Sequence, residues 1–515
     1  MTEYFPAVVI GAGPTGASAA IMLGQRGVDT LVLDRYPEVY PLPRAVHFDD
    51  EVFRVFADMD LAEEVRAISR PAPGMRLTDA DHQVLAELYR DPARQVHGYP
   101  HANMFDQPEL EGILRTALGK YPTLTFRGGV DVCEIAEVAG GPGRLRVRYR
   151  AFDPAGCAGV GEVREVWTDA VLGCDGANSM TRAVVGATME DLNFRQQWLV
   201  VDVETTEPLD VYDGVQQVCD SERAATFMPV VRDRYRWEFR LRADETPDDF
   251  DHARVLSLVQ PWLKGVDVDK VTFLRQACYT FRGVVADRWR NGRVFLLGDA
   301  AHQTPPFIGQ GLCAGIRDAA NLAWKLALVL DGKADERILD TYEAERRPFA
   351  RRVVRIAIGV GQAMTGGPAY ANRPRNLVIR TASRVLGAED RIVQTLWPSF
   401  AAGSLVGDLG RGAATGEVLP QPRVDGVLLD ELIGQRWAIV FRGPDRVGAF
   451  DPETRGFFEA LGTTVIRDTD GQLEPLFAAA KADAVLLRPD RVAAAAASTP
   501  DLRSWRRTLQ AAGIS

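Results

Sequence analysis

Ala7–Ile10 is a short apolar run that breaks into Gly11-Ala-Gly13-Pro14-Thr15-Gly16, and Pro14–Arg26 beyond it is small and alanine-rich. Thr30–Leu33 is a second apolar run, and Asp34 follows at once. The order predicts strand, helix, parallel strand and acid, a βαβ unit suited to a dinucleotide. Gly11 permits the tight turn, Gly13 lets the backbone approach a pyrophosphate, and Gly16 lets helix and strand pack closely. The helix N-terminus offers unpaired N–H groups and partial positive charge to phosphate oxygens. Asp34 is placed to accept hydrogen bonds from adenosine ribose hydroxyls, each worth about 1.5–3 kcal/mol for a charged acceptor. A glycine-rich turn in an unrelated α/β protein is the plainer reading of the glycines alone.

Two later stretches argue against that plainer reading. Arg293-Val-Phe-Leu-Leu-Gly298-Asp299-Ala-Ala-His302 is an apolar strand ending in Gly-Asp. Val171-Leu-Gly-Cys-Asp175-Gly176-Ala-Asn-Ser179-Met-Thr-Arg182 is another, followed by a helix start. Gly176 allows a sharp turn, Ser179 can cap the helix, and Arg182 is expected to anchor it by ion pairing. A capped turn explains the last two residues without explaining why the turn accompanies the other motifs.

With 515 residues the chain exceeds one ordinary core, so two or three domains are expected. Its net charge of −10 argues against a nucleic-acid binder. No apolar run is long enough to span a bilayer, and Met1 leads within a few residues into the first strand, so a cytoplasmic protein without a targeting segment is expected. The six cysteines include no C-x-x-C pair and are expected to be buried thiols, and neither they nor the six histidines suggest a metal site.

Pattern shifts divide the rest. Leu110–Leu118 predicts a helix, and Leu145–Phe152 with Val163–Val171 predicts two strands. Trp198–Val203, Ala225–Val231, Arg234–Leu241 and Val271–Phe281 alternate as an antiparallel sheet set between halves of a nucleotide domain. Val294–Leu297 returns to the nucleotide sheet, and Leu312–Leu330 and Tyr342–Gln362 predict long helices. The expected organisation is α/β. A Rossmann-like module over residues 1–402 has nucleotide segments near 1–80, 100–183 and 285–365, with a substrate sheet near 80–100 and 184–284. A separate α/β domain over 403–515 has Trp437–Phe441 and Ala484–Leu487 as strands.

In these motifs the chain resembles the flavoprotein aromatic hydroxylases, FAD-dependent monooxygenases with a single Rossmann-like domain. The resemblance rests on Gly11–Gly16, Pro43-Arg44-Ala-Val-His47-Phe-Asp49-Asp-Glu51, Phe105-Asp-Gln107-Pro-Glu-Leu110, Asp175-Gly176, and Gly298-Asp299 through Gly309-Gln-Gly311. It is most similar to the 3-(3-hydroxyphenyl)propionate hydroxylase subgroup, through Arg317-Asp-Ala-Ala-Asn-Leu-Ala-Trp-Lys-Leu-Ala327, Asp340-Thr-Tyr-x-x-Glu-Arg-Arg347 and Arg488-Pro-Asp-Arg-Val-Ala-Ala494.

The resemblance implies the rest of the site. FAD is held by Gly11, Gly13, Pro14, Thr15, Gly16, Asp34 and Arg35, with Arg44 on the pyrophosphate unless it pairs with Asp49 or Glu51. Asp175 and Asp299 belong to the same set, Asp299 on a ribityl or ribose hydroxyl, and Gln107 touches the flavin side through its amide. Pro306 fixes the loop beside the flavin. Gly309, Gly311 and the backbone of Leu312 and Cys313 face the flavin pyrimidine edge, while the Cys313 thiol itself packs. NAD(P)H binds transiently, since Gly140-Gly-Pro-Gly143 lacks the setting of a second fingerprint. With O₂ it gives a flavin C4a-hydroperoxide that hydroxylates a small aromatic substrate.

His47 is a candidate proton relay, and Phe227, Met228, Trp237 and Phe239 are candidate substrate contacts, with ordinary sheet core as the alternative. The late domain is similar to the thioredoxin-like tail of the subgroup. Having no cysteine, it is expected to serve packing or homodimerisation. The leading substrate is a phenylpropanoid acid, and the alternative a polycyclic, polyketide-like phenol hydroxylated or ring-expanded. A nicotinamide dehydrogenase leaves two motifs idle, a disulfide reductase lacks its C-x-x-C, and a halogenase lacks its Trp-x-Trp-x-Ile. NAD(P)H consumption stimulated by a phenol separates an enzyme from a nonenzymatic flavoprotein.

Overall fold

The computed structural model describes residues 3–386 except 43, 142, 368, 369 and 371, then Leu405 and residues 415–515 except 444–450. Pro43, Pro142 and the expected domain boundary at 402–403 lie outside the described residues.

The expected βαβ unit forms as Glu3–Ile10, Pro14–Gly24 and Thr30–Leu33. Ala7–Ile10 is buried throughout, as an apolar strand covered on both faces must be. The helix is buried from Gly16 to Gly24, which explains why its sequence lacks a polar stripe. Leu124–Arg127, Thr30–Leu33, Glu3–Ile10, Ala158–Gly173 and Val294–Leu296 lie side by side and parallel in that order. Val130–Glu137 and Leu145–Asp153 join antiparallel on Ala158–Gly173.

The second sheet has eight strands. Its centre is the long pair Met189–Thr205 and Val271–Ala286, followed outward by Arg234–Arg240, Ala225–Pro229 and Val215–Val218. Gly74–Thr78 and Val84–Tyr89 close that edge and His302–Gln303 closes the other beside Val271–Ala286, so the first excursion into this sheet begins before residue 80. Gly74–Thr78 runs parallel to Val215–Val218, which corrects the expectation of a purely antiparallel sheet. A small three-stranded sheet of His47–Asp49, Ala102–Phe105 and Ser69–Pro71 was not foreseen; its strands are too short to show a period.

The long helices are Gly311–Leu330 and Asp340–Thr365. Beyond residue 415, four strands take the order Thr464–Asp468, Ala438–Arg442, Ala484–Leu487, Ala493–Ala497, with the first two parallel and the rest antiparallel.

This last domain is bolted to the rest through buried charge. Arg488 forks onto Glu345 at 2.8 and 2.9 Å, and Lys325 reaches the same carboxylate at 2.8 Å. Arg54 pairs with Asp430 and donates to Leu419 O at 2.7 Å, while Arg491 donates to Asp58 at 2.7 Å. Trp324 and Trp437 meet edge to face across the same seam. All six cysteines are free. Cys133 and Cys157 are exposed, correcting the expectation of uniformly buried thiols.

Candidate active site

Four strand ends are aligned. Ile10 stands in register with Leu33 on one side and Gly173 on the other, and Gly173 with Leu296. The residues that follow, Asp34, Gly11, Cys174-Asp175 and Gly298-Asp299, therefore emerge along one carboxyl edge, where open α/β sheets bind ligands.

The glycines show how tightly these motifs meet. A Cβ on Gly11, whose φ is +98°, would stand 2.3 Å from Cys174 O, and one on Gly16 would stand 1.9 Å from Gly11 O. A Cβ on Gly315 would stand 2.2 Å from Thr15 Oγ1. Gly13 and Gly311 differ, because a Cβ on either meets nothing within 4 Å. They stand at the starts of Pro14–Gly24 and Gly311–Leu330, and neither helix has a side-chain cap at its N-terminus. Two sets of unpaired N–H groups are thus left for an anionic or electron-rich ligand. This cradle fits a dinucleotide flavin.

Asp34 braces the first turn, accepting from Ala12 N at 2.6 Å and Tyr36 N at 2.7 Å. Arg35 is taken up instead by Asp131 at 2.7 Å and by the Phe152 ring. Arg44 is exposed and does not pair with Asp49 or Glu51, since Arg317 binds both at 2.8 Å. Its backbone is fixed from two sides. Gln107 Oε1 accepts from Arg44 N at 3.1 Å and Ala45 N at 2.5 Å, and Arg236 donates to Arg44 O at 2.7 Å. Gln107 Nε2 donates to Glu111 at 2.6 Å, which leaves one amide N–H for a ligand. Beyond the expected flavin contact, Gln107 positions the Arg44 segment.

Asp175 also has a local role. Its carboxylate accepts from Ser179 Oγ at 2.6 Å and Thr181 N at 2.9 Å, so it organises the Met180–Val185 helix. Ser179 caps that helix as expected, accepting from Arg182 N at 2.9 Å. Arg182 donates to Ala177 O at 2.9 Å and Ala300 O at 3.2 Å in place of the expected ion pair, tying the two late motifs together.

Asp299 opens toward the cleft and caps no helix. The dense protein around it raises its carboxyl above the ordinary range, against the charges of His302 and Arg44. The turn that presents it depends on Asp318, whose role the sequence alone does not reveal. Fully buried, Asp318 accepts from Gly298 N at 3.1 Å and binds His302 Nε2 and Arg346 Nε at 2.8 Å each. An ionisable residue in the middle of an apolar helix run was the available signal.

Pro306 opens a single turn, Pro306–Ile308, closed by Gly309 N donating to Pro306 O at 2.9 Å. His47 Nδ1 lies 3.4 Å from Gly309 O, a contact in which only the nitrogen can donate. Burial, assisted by Arg90, pushes the His47 pKa down to about 4, so the ring is neutral near pH 7 and Nε2 is left to accept. Leu312 is half-buried, and Cys313 is fully buried with its thiol 3.8 Å from Gly309 O, a packed side chain as expected.

The substrate contacts need correction. Phe227, Trp237 and Phe239 lie on the far face of the sheet, in a core with Val201, Val255 and Trp262. The pocket expectation fails for those three because alternation turns them away. Met228 alone faces the nucleotide domain, packed with Val46 and Met104.

A parallel sheet whose carboxyl edge gathers three distant motifs and two uncapped helix ends defines an FAD-binding α/β protein. The chain belongs to the FAD binding domain family, whose pattern spans residues 4–357; residues 416–512 match the HcaD C-terminal domain. It is 33% identical over 501 residues to the Rhodococcus jostii (strain RHA1) protein named "Probable NADH-specific resorcinol 4-hydroxylase", covering 94% of this chain and 90% of that one. It is 31% identical over 521 residues to the 3-(3-hydroxy-phenyl)propionate/3-hydroxycinnamic acid hydroxylase of Burkholderia cenocepacia (strain HI2424), covering 95% and 93%. Among solved structures, aklavinone-11 hydroxylase in complex with FAD and aklavinone superposes with a TM-score of 0.79 at 25% identity, covering 99% of both chains. The protein is an FAD-dependent aromatic monooxygenase of the hydroxylase type. Among the described residues no helix is long and apolar enough to cross a membrane.

Proposed function

We propose that the protein hydroxylates a single-ring phenol, taking its reducing equivalents from NADH. The observation that carries this reading is the joint presentation of Asp34, Arg44 and Asp299 with the bare N-terminus of Gly311–Leu330 at one edge. Bound FAD supplies the redox chemistry that activates O₂. The chain's own residues bind and orient. Asp34 and Asp299 offer oxygen acceptors to ribose and ribityl hydroxyls, and the Arg44 guanidinium offers a fork to the pyrophosphate. The amides of Gly311 and Leu312 favour negative charge on the ring edge they face. Pro305 and Pro306 wall the loop without adding an N–H donor. Neutral His47 accepts or relays a proton at Nε2.

Likeness to hydroxylases named for resorcinol and hydroxyphenylpropionate supports a single ring, and the relative named as NADH-specific supports NADH. Six free cysteines fit a reducing cytoplasm. The strand order of the C-terminal sheet supports a thioredoxin-like fold, and the absence of cysteine after Cys313 leaves it no thiol chemistry.

The test is NADH oxidation by FAD-loaded protein with resorcinol and with 3-(3-hydroxyphenyl)propionate, following product mass. Phenol-stimulated consumption with a product one oxygen heavier is expected. Consumption indifferent to any phenol, or peroxide as the sole product, overturns the proposal.

A further inference from the structure

The face of the second sheet turned toward the nucleotide domain carries three polar side chains in one transverse row. Gln217 stands opposite Thr226, Thr226 opposite Glu238, and Glu238 opposite Val200. Cross-strand partners share a face. The Gln217 amide donates to Phe307 O at 2.7 Å, inside the loop between Pro306 and Gly309. Trp198, two residues from Val200 on the same strand, meets the Phe307 ring edge to face. The row therefore adjoins the loop expected to wall the flavin.

These groups are buried and open. Gln217 is 1% exposed, Thr226 4% and Glu238 7%. Among the described residues Gln217 Oε1 and Thr226 Oγ1 have no hydrogen-bond partner, and the Glu238 carboxylate is engaged by charge alone. The cations near it are committed elsewhere. Arg236 forks onto Asp202 at 2.6 and 3.1 Å, and Arg275 reaches Asp202 at 3.4 Å. A buried polar atom left unpaired costs about 1–3 kcal/mol. Two such atoms beside a buried carboxylate, all in one row, mark a surface awaiting a partner.

We infer that Gln217, Thr226 and Glu238 form the polar floor of the substrate pocket and select an uncharged, polyhydroxylated ring over a phenol bearing a carboxylate side chain. Hydrogen-bond sign sets the preference. Gln217 Oε1 and the Glu238 carboxylate oxygens accept, Thr226 can serve either role, and the Gln217 amide nitrogen keeps one N–H beside its bond to Phe307 O, so acceptors predominate. Ring hydroxyls supply the donors of which such a surface is short. A carboxylate tail brings only acceptors and a like charge. Burial raises Glu238 to about 7, with Asp202 adding to the rise and Arg236 and Arg275 opposing it. The discrimination should therefore sharpen between pH 6 and pH 8, as Glu238 ionises.

This assignment rests on the phenol-hydroxylase reading, and binding can be measured apart from turnover. FAD-loaded protein is titrated with resorcinol and with 3-(3-hydroxyphenyl)propionate, using the change in flavin absorbance, at pH 6 and pH 8. At pH 8 resorcinol should bind at least about tenfold more tightly than the acid, a difference of about 1.4 kcal/mol. Glu238→Gln should erase most of that preference and its pH dependence, and Glu238→Asp should restore part of it. Thr226→Val provides a second test, since it removes a hydroxyl from the row while leaving the carboxylate in place; it should weaken resorcinol and spare the acid. Tighter binding of the acid by the wild-type protein, or a preference unmoved by Glu238→Gln and Thr226→Val alike, overturns the inference. Protein that binds resorcinol through Glu238 yet neither consumes NADH nor oxygenates it supports the inference and overturns the hydroxylase reading alone.

Discussion

Thr15 and Gly298 come from opposite ends of the FAD-binding module, yet a methyl group on Gly298 would stand 2.8 Å from the Thr15 hydroxyl oxygen. The same hydroxyl blocks a side chain on Gly315. One threonine in the first turn of the first helix thus sets how closely the Gly-Asp strand end and the long helix can approach. The cofactor cradle is defined by contacts in which no spare atom fits.

Gly11→Ala and Gly13→Ala should therefore fail differently. Alanine at 11 meets Cys174 O and carries a strained φ, so both thermal stability and flavin content should fall. Alanine at 13 meets no protein atom, so circular dichroism and the apoprotein melting temperature should hold while the Kd for FAD rises at least about tenfold, or about 1.4 kcal/mol. Equal loss of stability in the two variants would contradict the assignment of Gly13 to the ligand.

Arg44 and Arg317 form a second contrast. Arg44→Ala should leave apoprotein stability unchanged and weaken FAD, as measured by flavin fluorescence on titration. Arg317→Ala strands Asp49 and Glu51, and should cost about 3–5 kcal/mol in urea unfolding.

Trp237→Ala tests the corrected substrate list. A fully buried tryptophan in the far core should cost about 3–5 kcal/mol of stability when truncated. The relative rates with different phenols, measured on the surviving FAD-loaded fraction, should not change. A shift in substrate preference would return Trp237 to the pocket.

Acid stability should depend on Glu345. Burial alone would raise its carboxyl, but Arg488 and Lys325 bring it down to about 2. A folded pKa below the unfolded one means the unfolded chain binds more protons in the interval between them. The stabilisation is complete above the ordinary glutamate range near 4.5 and is lost as the pH falls through about 2. It amounts to roughly 3 kcal/mol. Urea midpoints at pH 5 and pH 3 should separate more for the wild type than for Glu345→Gln.

The sequence was most legible where one residue type answers one local demand. Thr30–Leu33 and Ala484–Leu487 form strands over the residues their apolar runs suggest, and Gly11, Gly16 and Asp34 stand where turn and strand require them. Legibility ended where a side chain's role depends on a distant partner. Nothing near Gln107 indicates that it will hold the backbone of Arg44, nor near Asp175 that its carboxylate will turn into its own helix. Alternation grouped Trp237 with Phe239 but could not tell which face meets the ligand, because that depends on what packs against each side. Glu238 was passed over because a charged residue in an alternating strand reads as solvent-facing.

The helix Gly311–Leu330 presents Gly311 to the cofactor cleft at one end and sends Asn321 and Lys325 to Glu345 in the seam with the C-terminal domain at the other. The terminal hundred residues are consequently a buttress for the flavin platform, not an appendage. Deleting them would take Arg488 from Glu345, leaving Lys325 as its counter-charge there, and uncover Trp324, loosening the rod that begins at Gly311.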